Sequence, residues 1–370
     1  MRTISVFPSA KKIELLTRRD PTLDNNTTVK LRVIDVGVCG TDREIAEFKY
    51  GAAPAGSDSL VIGHECLAEV IETGSDVKTF KAGDLAVPIV RRPCDRPECV
   101  PCRAGRPDFC LTGEFTECGI KKRHGFMSDF IVIEERYLVP VPGSLRHLGV
   151  LTEPLSVAEK AIAQVWQMQD RLPWIASAEK EHTPLKGYHA VVLGAGPIGL
   201  LGAFLLVRAG FKTYVYSREA ASSANARLAE SIGAAYVPST TVGPDDLVRT
   251  TGNIDVMYEA TGVSAFSFKM LPCLGRNGIY IFTGIPGINA PIELDTDTLM
   301  KDIVLKNQVI FGTVNADKSA YKAAIADLAD FVERWPEALS SLITVRCRPE
   351  DFDKVLLERK TGIKNVITFT

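Results

Sequence analysis

HAVVLGAGPIGLLGAFLLVRAGFKTYVYSRE, residues 189–219, carries the strongest structural signal in the chain. An apolar strand-like segment leads into a glycine turn, an apolar helix opens at Pro197, and a second strand-like segment follows. This order predicts a βαβ unit. Residues 253–262, NIDVMYEATG, and 277–287, NGIYIFTGIPG, predict two more buried strands that end in small residues, where a ligand can approach.

The turn at residues 194–199, GAGPIG, fits the pattern G-x-G-x-x-G. Gly194 permits the tight turn, Gly196 lets the backbone reach a pyrophosphate, and Gly199 brings helix and strand close together. The N-terminus of the next helix offers free N–H groups to the phosphates. A purely structural glycine turn is the alternative, but the flanking strands and helix favour dinucleotide binding. The predicted cofactor contacts here are Gly194, Gly196, Pro197, Ile198 and Gly199.

The end of the second strand indicates which dinucleotide is preferred. An NAD site places Asp or Glu there to bind the ribose hydroxyls, whereas this chain has Ser217 and Arg218. A guanidinium matches a 2′-phosphate by paired, charge-assisted hydrogen bonds, so NADP is favoured. Glu219 follows immediately and could serve a ribose or pair with Arg218, which leaves NAD as the alternative.

The length of 370 residues exceeds one ordinary core and predicts two domains. The first 150 residues are rich in short β-like segments between Gly, Pro and Asp, which is typical of an antiparallel β-domain with long loops. We expect a β-rich catalytic domain over 1–155 and 315–370, a dinucleotide domain over 156–314, and an active site in the cleft between them. Residues 177–187, SAEKEHTPLKG, predict a polar surface excursion.

Charge and apolar content exclude several classes of partner. The net charge is −2, from 43 basic and 45 acidic residues, which gives no overall attraction for nucleic acid or an anionic membrane. The N-terminus lacks the apolar run of a signal peptide, and the longest apolar stretch, 197–207, is too short to span a bilayer. The nine cysteines are an odd number, so a reducing cytoplasm is expected, in which clustered cysteines favour metal over disulfides.

Four cysteines stand in the Pro- and Arg-rich stretch 91–113, RRPCDRPECVPCRAGRPDFCLTG. Two disulfides, a metal cage and a basic zinc ribbon that contacts nucleic acid are the alternatives. The arginines are balanced by acidic side chains, which argues against the ribbon. In a reducing compartment, clustered cysteines favour metal over disulfides. The four cysteines are Cys94, Cys99, Cys102 and Cys110, and the acidic residues are Asp95, Glu98, Asp108 and Glu114.

A second set of metal-type residues lies in GVCGTD, 37–42, and VIGHECLAEV, 61–70. Cys39, His64 and Glu65 are ligand types suited to zinc. A surface His–Glu pair is the alternative reading of residues 64 and 65.

The order of these motifs resembles the zinc-dependent medium-chain dehydrogenase/reductase superfamily. The stretches VRRPC, GRPDFCLTGEF, GFMSDF and VLTEPLS resemble its glucose 1-dehydrogenase branch, and LGRNG and GTVNADK extend the match into the second half. The resemblance implies an α/β protein with a GroES-like β-rich catalytic domain and a Rossmann dinucleotide-binding domain. It also implies a closed structural zinc cage in a lobe at 91–118 and a homodimer or homotetramer.

The resemblance implies roles for individual residues. Cys39, His64 and Glu65 belong to the catalytic zinc shell with Glu153 as a further ligand, and Thr41 relays a proton, so that two zinc ions per chain are expected. The activity implied is oxidation of an alcohol by hydride transfer to NADP or NAD. Reduction of an aldehyde or ketone, and a non-catalytic zinc-binding relative, are the alternatives. The expected cofactor walls are Thr261, Thr283, Val314 and Asn315.

The sequence departs from the glucose-oxidising pattern at three positions. Val90, Val157 and Leu305 stand where Asn, Asp and His are usual, whereas Glu114 and Asn315 match positions that contact sugar. A buried sugar hydroxyl without a partner costs roughly 1–3 kcal/mol. We therefore expect a sugar, a polyol or a less hydroxylated cyclic alcohol as substrate, with glucose bound more weakly.

Overall fold

The computed structural model describes residues 1–174, 187–287, 289–358 and 362–370. The predicted polar excursion at 177–187 therefore lies, apart from Gly187, outside the described residues. Within those ranges, no helix is both long enough and apolar enough to cross a membrane.

The chain divides into two compact units. The first comprises Met1–Ser156, Asn315–Glu333 and Leu342–Thr370. The second comprises Val157–Val314 and Arg334–Ser341, so a short piece of the C-terminal region groups with the dinucleotide-type unit.

The secondary structure is numbered in chain order. The strands are β1 Arg2–Phe7, β2 Lys12–Thr17, β3 Thr28–Val38, β4 Leu60–Val61, β5 Glu65–Thr73, β6 Leu85–Pro88, β7 Arg91–Arg92, β8 Thr116–Cys118, β9 Lys122–Arg123, β10 Phe130–Glu134, β11 Leu138–Val141, β12 His189–Leu193, β13 Lys212–Ser217, β14 Ala235–Pro238, β15 Val256–Glu259, β16 Ile279–Phe282, β17 Val309–Gly312, β18 Ile343–Cys347 and β19 Lys364–Thr368. The α-helices are α1 Gly40–Ala46, α2 Val100–Arg103, α3 Thr152–Gln169, α4 Pro197–Arg208, α5 Ala224–Ser231, α6 Pro244–Thr251, α7 Ser264–Lys269, α8 Thr296–Leu305, α9 Lys318–Arg334, α10 Pro336–Ser341 and α11 Phe352–Leu356.

The long strand β3 organises the first unit. It pairs antiparallel with β5, β10 and β19 in the largest sheet, which runs in the order β11-β6-β5-β3-β19-β18. Its alternating residues Val29, Leu31 and Val33 are all fully buried and belong to the β-rich core. The apolar alternation in the sequence thus marks the face of β3 that packs inward.

The end of β3 is where the metal-type residues are positioned. In the antiparallel register Gly37 faces Glu65 at the start of β5, and Val38 faces Asn365 at the start of β19. Segments far apart in the sequence therefore meet beside Cys39, the residue that follows β3.

The second unit contains a parallel sheet in the order β14-β13-β12-β15-β16-β17. The predicted βαβ unit is formed by β12, α4 and β13, and the two further predicted strands are β15 and β16. The prediction of an α/β fold with a Rossmann-type sheet is confirmed. Because neighbouring strands run in the same direction, their carboxyl ends and the loops that follow them share one edge, where ligands bind in such sheets.

Candidate functional site

The structure brings Cys39, His64 and Glu65 together. One ligand atom from each lies within 4.8 Å of the others, and His64 and Glu65 are buried. Cys39 is the N-cap residue of α1, directly after β3. Gly63 precedes His64 with φ +88°, a conformation that favours glycine, and a Cβ there would lie 2.5 Å from Met127 Cγ. The tight turn at Gly63 therefore delivers two consecutive side chains to the group around Cys39.

Asp42, which the sequence analysis left without a role, holds this group in place. Its carboxylate is fully buried and accepts hydrogen bonds from the N–H groups of Cys39, at 2.9 Å, and Gly63, at 3.2 Å. It also lies 3.3 Å from Nδ1 of His64. Burial alone would raise the pKa of Asp42, but His64 lowers it, so the carboxylate is charged. A carboxylate at Nδ1 orients the imidazole and leaves Nε2 for an ion.

Lys364 supplies a second buried charge that sequence reasoning missed. Its ammonium pairs with Oε2 of Glu65 and donates a hydrogen bond of 3.2 Å to the carbonyl of Val38. Burial alone would lower the pKa of Lys364, but Glu65 and Cys39 raise it. Gly37 makes room for the pair, because a Cβ there would lie 2.0 Å from Oε2 of Glu65. No local sequence signal points to Lys364, since only sheet pairing brings β19 to this place.

Glu153 and Thr41 lie around the group rather than within it. Glu153, in the first turn of α3, is 9% exposed and is not one of the three residues whose ligand atoms cluster within 4.8 Å. Burial and the nearby Glu65 raise the pKa of Glu153 to about 7, although His64 lowers it. The Thr41 hydroxyl is 4.0 Å from Sγ of Cys39.

The donor set fits a divalent transition-metal ion. A thiol, an imidazole and a carboxylate are the ligand types that zinc takes in sites with an exchangeable position. Asp42, Glu65 and Lys364 place two buried carboxylates and one buried ammonium beside the sulfur of Cys39 and the imidazole of His64.

The four cysteines of the 91–113 stretch form a second group. Their sulfur atoms lie within 4.8 Å of one another, with 3.6 Å between Cys94 and Cys102 and 3.8 Å between Cys99 and Cys110. These separations rule out disulfides, whose S–S bonds are about 2.0 Å long. Four thiolates about 2.3 Å from a central zinc ion stand roughly 3.8 Å apart, so the group fits a closed tetrahedral cage.

Two of the arginines around this cage are paired with acidic side chains. Arg96 makes a bidentate pair with Glu114 at 2.6 and 2.9 Å, and Arg106 pairs with Asp108 at 2.7 Å. Charges that are already paired leave little attraction for phosphates. The nucleic-acid ribbon therefore finds no support here.

The glycine turn of the second unit is shaped by contacts on one side and open space on the other. The N–H of Gly194 donates to the carbonyl of Tyr216 at 2.9 Å. A Cβ on Gly199 would lie 2.1 Å from the carbonyl oxygen of Gly194, whereas a Cβ on Gly196 would meet nothing within 4 Å. Packing within the unit therefore explains Gly199 but not Gly196, and the predicted approach of a pyrophosphate would explain a glycine there.

Glu259, also missed in the sequence, joins two loops at the carboxyl edge of the parallel sheet. Its buried carboxylate accepts hydrogen bonds from the N–H and the hydroxyl of Thr261, at 2.7 and 2.6 Å, and from the N–H of Gly284, at 3.1 Å. The Thr283 hydroxyl donates to the backbone carbonyl of Glu259 at 2.6 Å. The predicted cofactor residues Thr261 and Thr283 are thus both held by Glu259, Thr261 by its carboxylate and Thr283 by its backbone carbonyl, at adjacent strand ends.

The contacts at the end of β13 bear on Glu219, for which the sequence left open a bond to a ribose or a pair with Arg218. The N–H of Ala195 donates to the Ser217 hydroxyl at 3.1 Å, and that hydroxyl donates to the carboxylate of Glu219. Among the described residues Glu219 thus bonds Ser217 rather than Arg218, which is exposed. The guanidinium of Arg218 is available to a ligand.

The residues expected near the substrate differ in their contacts and in their exposure. Asn315, with φ +59°, donates to Oε1 of the buried Glu117 at 3.1 Å, and Glu117 in turn pairs with the buried Arg91 at 2.9 Å. Glu114 is half-exposed and makes a bidentate pair with Arg96. The remaining predicted positions differ widely in exposure: Val90 is 1% exposed in the core, Val157 is partly buried, Val314 is 43% exposed and Leu305 is 61% exposed.

Comparison with known proteins identifies the family. Residues 146–369 match the family described as glucose dehydrogenase C-terminus, and residues 25–143 match the alcohol dehydrogenase GroES-like domain. The chain is 35% identical over 367 residues to a glucose 1-dehydrogenase of Methanocella arvoryzae, which covers 99% of both chains. It is 36% identical over 378 residues to a glucose 1-dehydrogenase of Metallosphaera sedula, which covers 100% of this chain and 99% of the relative.

A solved structure agrees with these matches. Haloferax mediterranei glucose dehydrogenase in complex with NADP, Zn and gluconolactone is similar with a TM-score of 0.88 and 29% identity, covering 100% of this chain and 99% of that one. The chain belongs to the zinc-dependent medium-chain dehydrogenase/reductase superfamily, and within it to the glucose dehydrogenase branch. The predicted combination of a GroES-like and a Rossmann-type fold is confirmed.

Asp42→Asn tests the carboxylate that orients His64. The amide keeps the shape but loses the charge, so we expect the affinity of the Cys39 group for zinc to fall about 10- to 100-fold. Competition with a chelator measures this affinity, and Asp58→Asn, at an exposed position, is the matched control. Unchanged zinc affinity in Asp42→Asn would contradict the assignment.

Gly196→Ala and Gly199→Ala separate ligand approach from packing. We expect Gly196→Ala to keep the free energy of unfolding within about 0.5 kcal/mol and to weaken NADP binding at least about tenfold, because the added methyl fills open space at the turn. Gly199→Ala should lower the free energy of unfolding by about 1–3 kcal/mol, because its methyl meets a backbone carbonyl. Urea unfolding and fluorescence titration measure both effects; normal NADP binding by Gly196→Ala would refute this explanation of the turn.

Proposed function

We propose that the protein is a zinc-dependent, NADP-linked dehydrogenase that oxidises a sugar or a related alcohol by hydride transfer. The observation that carries the proposal is the compact group of Cys39, His64 and Glu65, whose ligand atoms lie within 4.8 Å of one another. The group occurs in a chain whose full-length relatives are named glucose 1-dehydrogenases.

The residues of the first unit would bind the catalytic zinc and move the proton released from the substrate. Cys39, His64 and Glu65 would hold the catalytic zinc, with Glu153 as a further ligand. A zinc ion bound there supplies a Lewis acid that lowers the pKa of a substrate hydroxyl. Thr41 would relay the released proton, because its hydroxyl is 4.0 Å from Sγ of Cys39.

Four thiolates would hold a second, structural zinc. Cys94, Cys99, Cys102 and Cys110 fill a tetrahedral shell, so that no position is left for substrate. The four cysteines and the surrounding ion pairs would stabilise a lobe with few apolar contacts of its own.

The second unit would bind NADP. The 194–199 turn would hold the pyrophosphate, and the exposed Arg218 would pair with the 2′-phosphate, as the Ser217 hydroxyl engages Glu219. The nicotinamide chemistry is the cofactor's, and the protein's part is to position it. Thr261, Thr283, Val314 and Asn315 would wall the nicotinamide side. The similar Haloferax structure is described as a complex with NADP and Zn, which supports this choice.

The substrate would be a polyhydroxylated or cyclic alcohol. We propose that Glu114 and Asn315 contact substrate hydroxyls, and that the buried Glu117, whose Oε1 accepts the amide N–H of Asn315 at 3.1 Å, positions Asn315. Val90 and Val157 offer no hydrogen bond, so glucose should bind less tightly than a substrate with fewer hydroxyl groups.

We propose that the enzyme is a homo-oligomer of the cytoplasm. In the second unit β17 lies at the edge of the parallel sheet, and Met300, Val304 and Leu305 of α8 are 67%, 65% and 61% exposed. Unpaired strand edges and clustered exposed apolar side chains favour contact with another copy. The nine cysteines are all free thiols, as a reducing compartment keeps them.

A substrate panel with metal analysis tests the function. We expect about two zinc ions per chain and a higher kcat/KM with NADP than with NAD. A sugar, polyol or cyclic alcohol should be oxidised with a kcat/KM at least about tenfold above that of glucose, because unpaired hydroxyls weaken glucose. Glucose as the best substrate would overturn the inference from Val90 and Val157; full activity without metal would overturn the proposed function.

Sedimentation velocity tests the oligomer. The protein should sediment as a dimer or tetramer. Val304→Glu should shift it toward the monomer, because removing a charged carboxylate from water at an apolar interface costs free energy. Lys301→Gln, on an exposed position of the same helix, is the control and should leave the mass unchanged. A monomeric protein at micromolar concentration would disprove the assembly.

A further inference from the structure

A cavity in the first unit lies apart from the metal-type residues and has no role in the proposed reaction. Its volume is about 460 Å³, within the range of roughly 300–1,000 Å³ that small-molecule sites occupy. The apolar part of its lining includes Val61, Phe126, Phe130, Ile131 and Ile133. The space is therefore large enough for a small organic molecule with an apolar body.

The charged side chains that line the cavity are all basic. Arg18, Lys122 and Arg123 line the cavity, and no Asp or Glu does. Arg18 donates to the hydroxyls of the buried Ser5 and Ser59, at 3.3 and 2.9 Å, which carry no charge. In the part of the chain that the structure describes, none of the three cations forms an ion pair. Glu114 attracts Lys122, but that carboxylate is already paired with Arg96. The cavity wall thus carries net positive charge.

His124 adds a hydrogen-bond donor to this wall. Its Nδ1 accepts the N–H of Val61 at 3.1 Å, so in the neutral ring the proton is on Nε2. Burial and the charge of Arg18 lower the pKa of His124, which keeps the ring neutral at pH 7. A neutral donor beside three cations suits an oxygen-rich anion.

We propose that this cavity is a second binding site, which takes a small organic anion. A phosphate or carboxylate group pairs with Arg18, Lys122 and Arg123, and the apolar body of the ligand lies against Phe130 and Ile133.

The site shares a wall with the turn that carries His64. The N–H of Phe126 donates to the carbonyl of Gly63 at 2.9 Å, and the N–H of Gly63 donates to Asp42, the carboxylate beside His64. Val61, on the same turn, is bonded to His124. A ligand in the cavity therefore contacts the residues that fix Gly63 from one side, while the metal-type group lies on the other.

Calorimetric titration of the zinc-loaded, NADP-saturated protein with phenyl phosphate tests the proposal. The ligand combines the required anion with an apolar ring, so we expect saturable binding with a Kd of about 1 mM or tighter. Inorganic phosphate, which lacks the ring, and phenol, which lacks the charge, should each bind at least about tenfold more weakly.

Charge-removing variants locate the binding. Arg18→Gln and Lys122→Gln should each raise the Kd for phenyl phosphate about tenfold, the loss expected for one charge-assisted hydrogen bond. Arg19→Gln, the exposed neighbour of Arg18, is the matched control and should leave the Kd unchanged. Because Arg18 also bonds buried hydroxyls, Lys122→Gln, at an exposed position, gives an independent result if Arg18→Gln unfolds.

Three outcomes overturn the proposal. These are the absence of saturable binding, equal Kd values in the wild-type protein and Lys122→Gln, and competition between phenyl phosphate and the alcohol substrate, which would place the anion in the active site. The calorimetric readout does not depend on turnover, so failure of the proposed dehydrogenase activity would leave this test intact.

Discussion

The burial of four ionisable side chains at the end of β3 is the constraint on which the first unit depends. Asp42, His64, Glu65 and Lys364 are between 0% and 5% exposed. An isolated charge in such a place costs several kcal/mol, which is a large part of the stability of a domain. The structure meets this cost by pairing Asp42 with His64 and Lys364 with Glu65. The ligands for an ion can occupy the interior only because these partners are there.

This pairing ties the architecture of the β-rich unit to its chemistry. Asp42 comes from the helix after β3, Glu65 opens β5, and Lys364 opens β19. The three segments meet because β3 pairs with both β5 and β19 in one sheet. The C-terminal strand is therefore part of the site as well as part of the core, and Gly37 leaves the space in which the Glu65–Lys364 pair fits.

The second unit uses a buried carboxylate in a related way. Glu259 binds backbone N–H groups of the loops after β15 and β16, so one side chain fixes both loops at the carboxyl edge of the sheet. Hydrogen bonds from backbone N–H groups stabilise a carboxylate that is out of contact with water. In each unit, therefore, a buried carboxylate with hydrogen-bond partners holds residues that we propose to contact a ligand.

The sequence by itself determined the βαβ unit, the β-rich first half and the cysteine quartet, because glycine turns, apolar periodicity and ligand spacing are local patterns. The grouping of Cys39 with His64 and Glu65 followed from the resemblance to a known family, because these residues lie in separate segments of the chain. The tertiary structure alone decided the roles of Asp42, Lys364, Glu117 and Glu259. Each of these acts through a partner whose position is set by sheet register or by a turn, as with Asn315 and Glu117. Glu114 and Glu117 are equivalent in a one-dimensional pattern, and burial, which depends on the whole fold, is what distinguishes them.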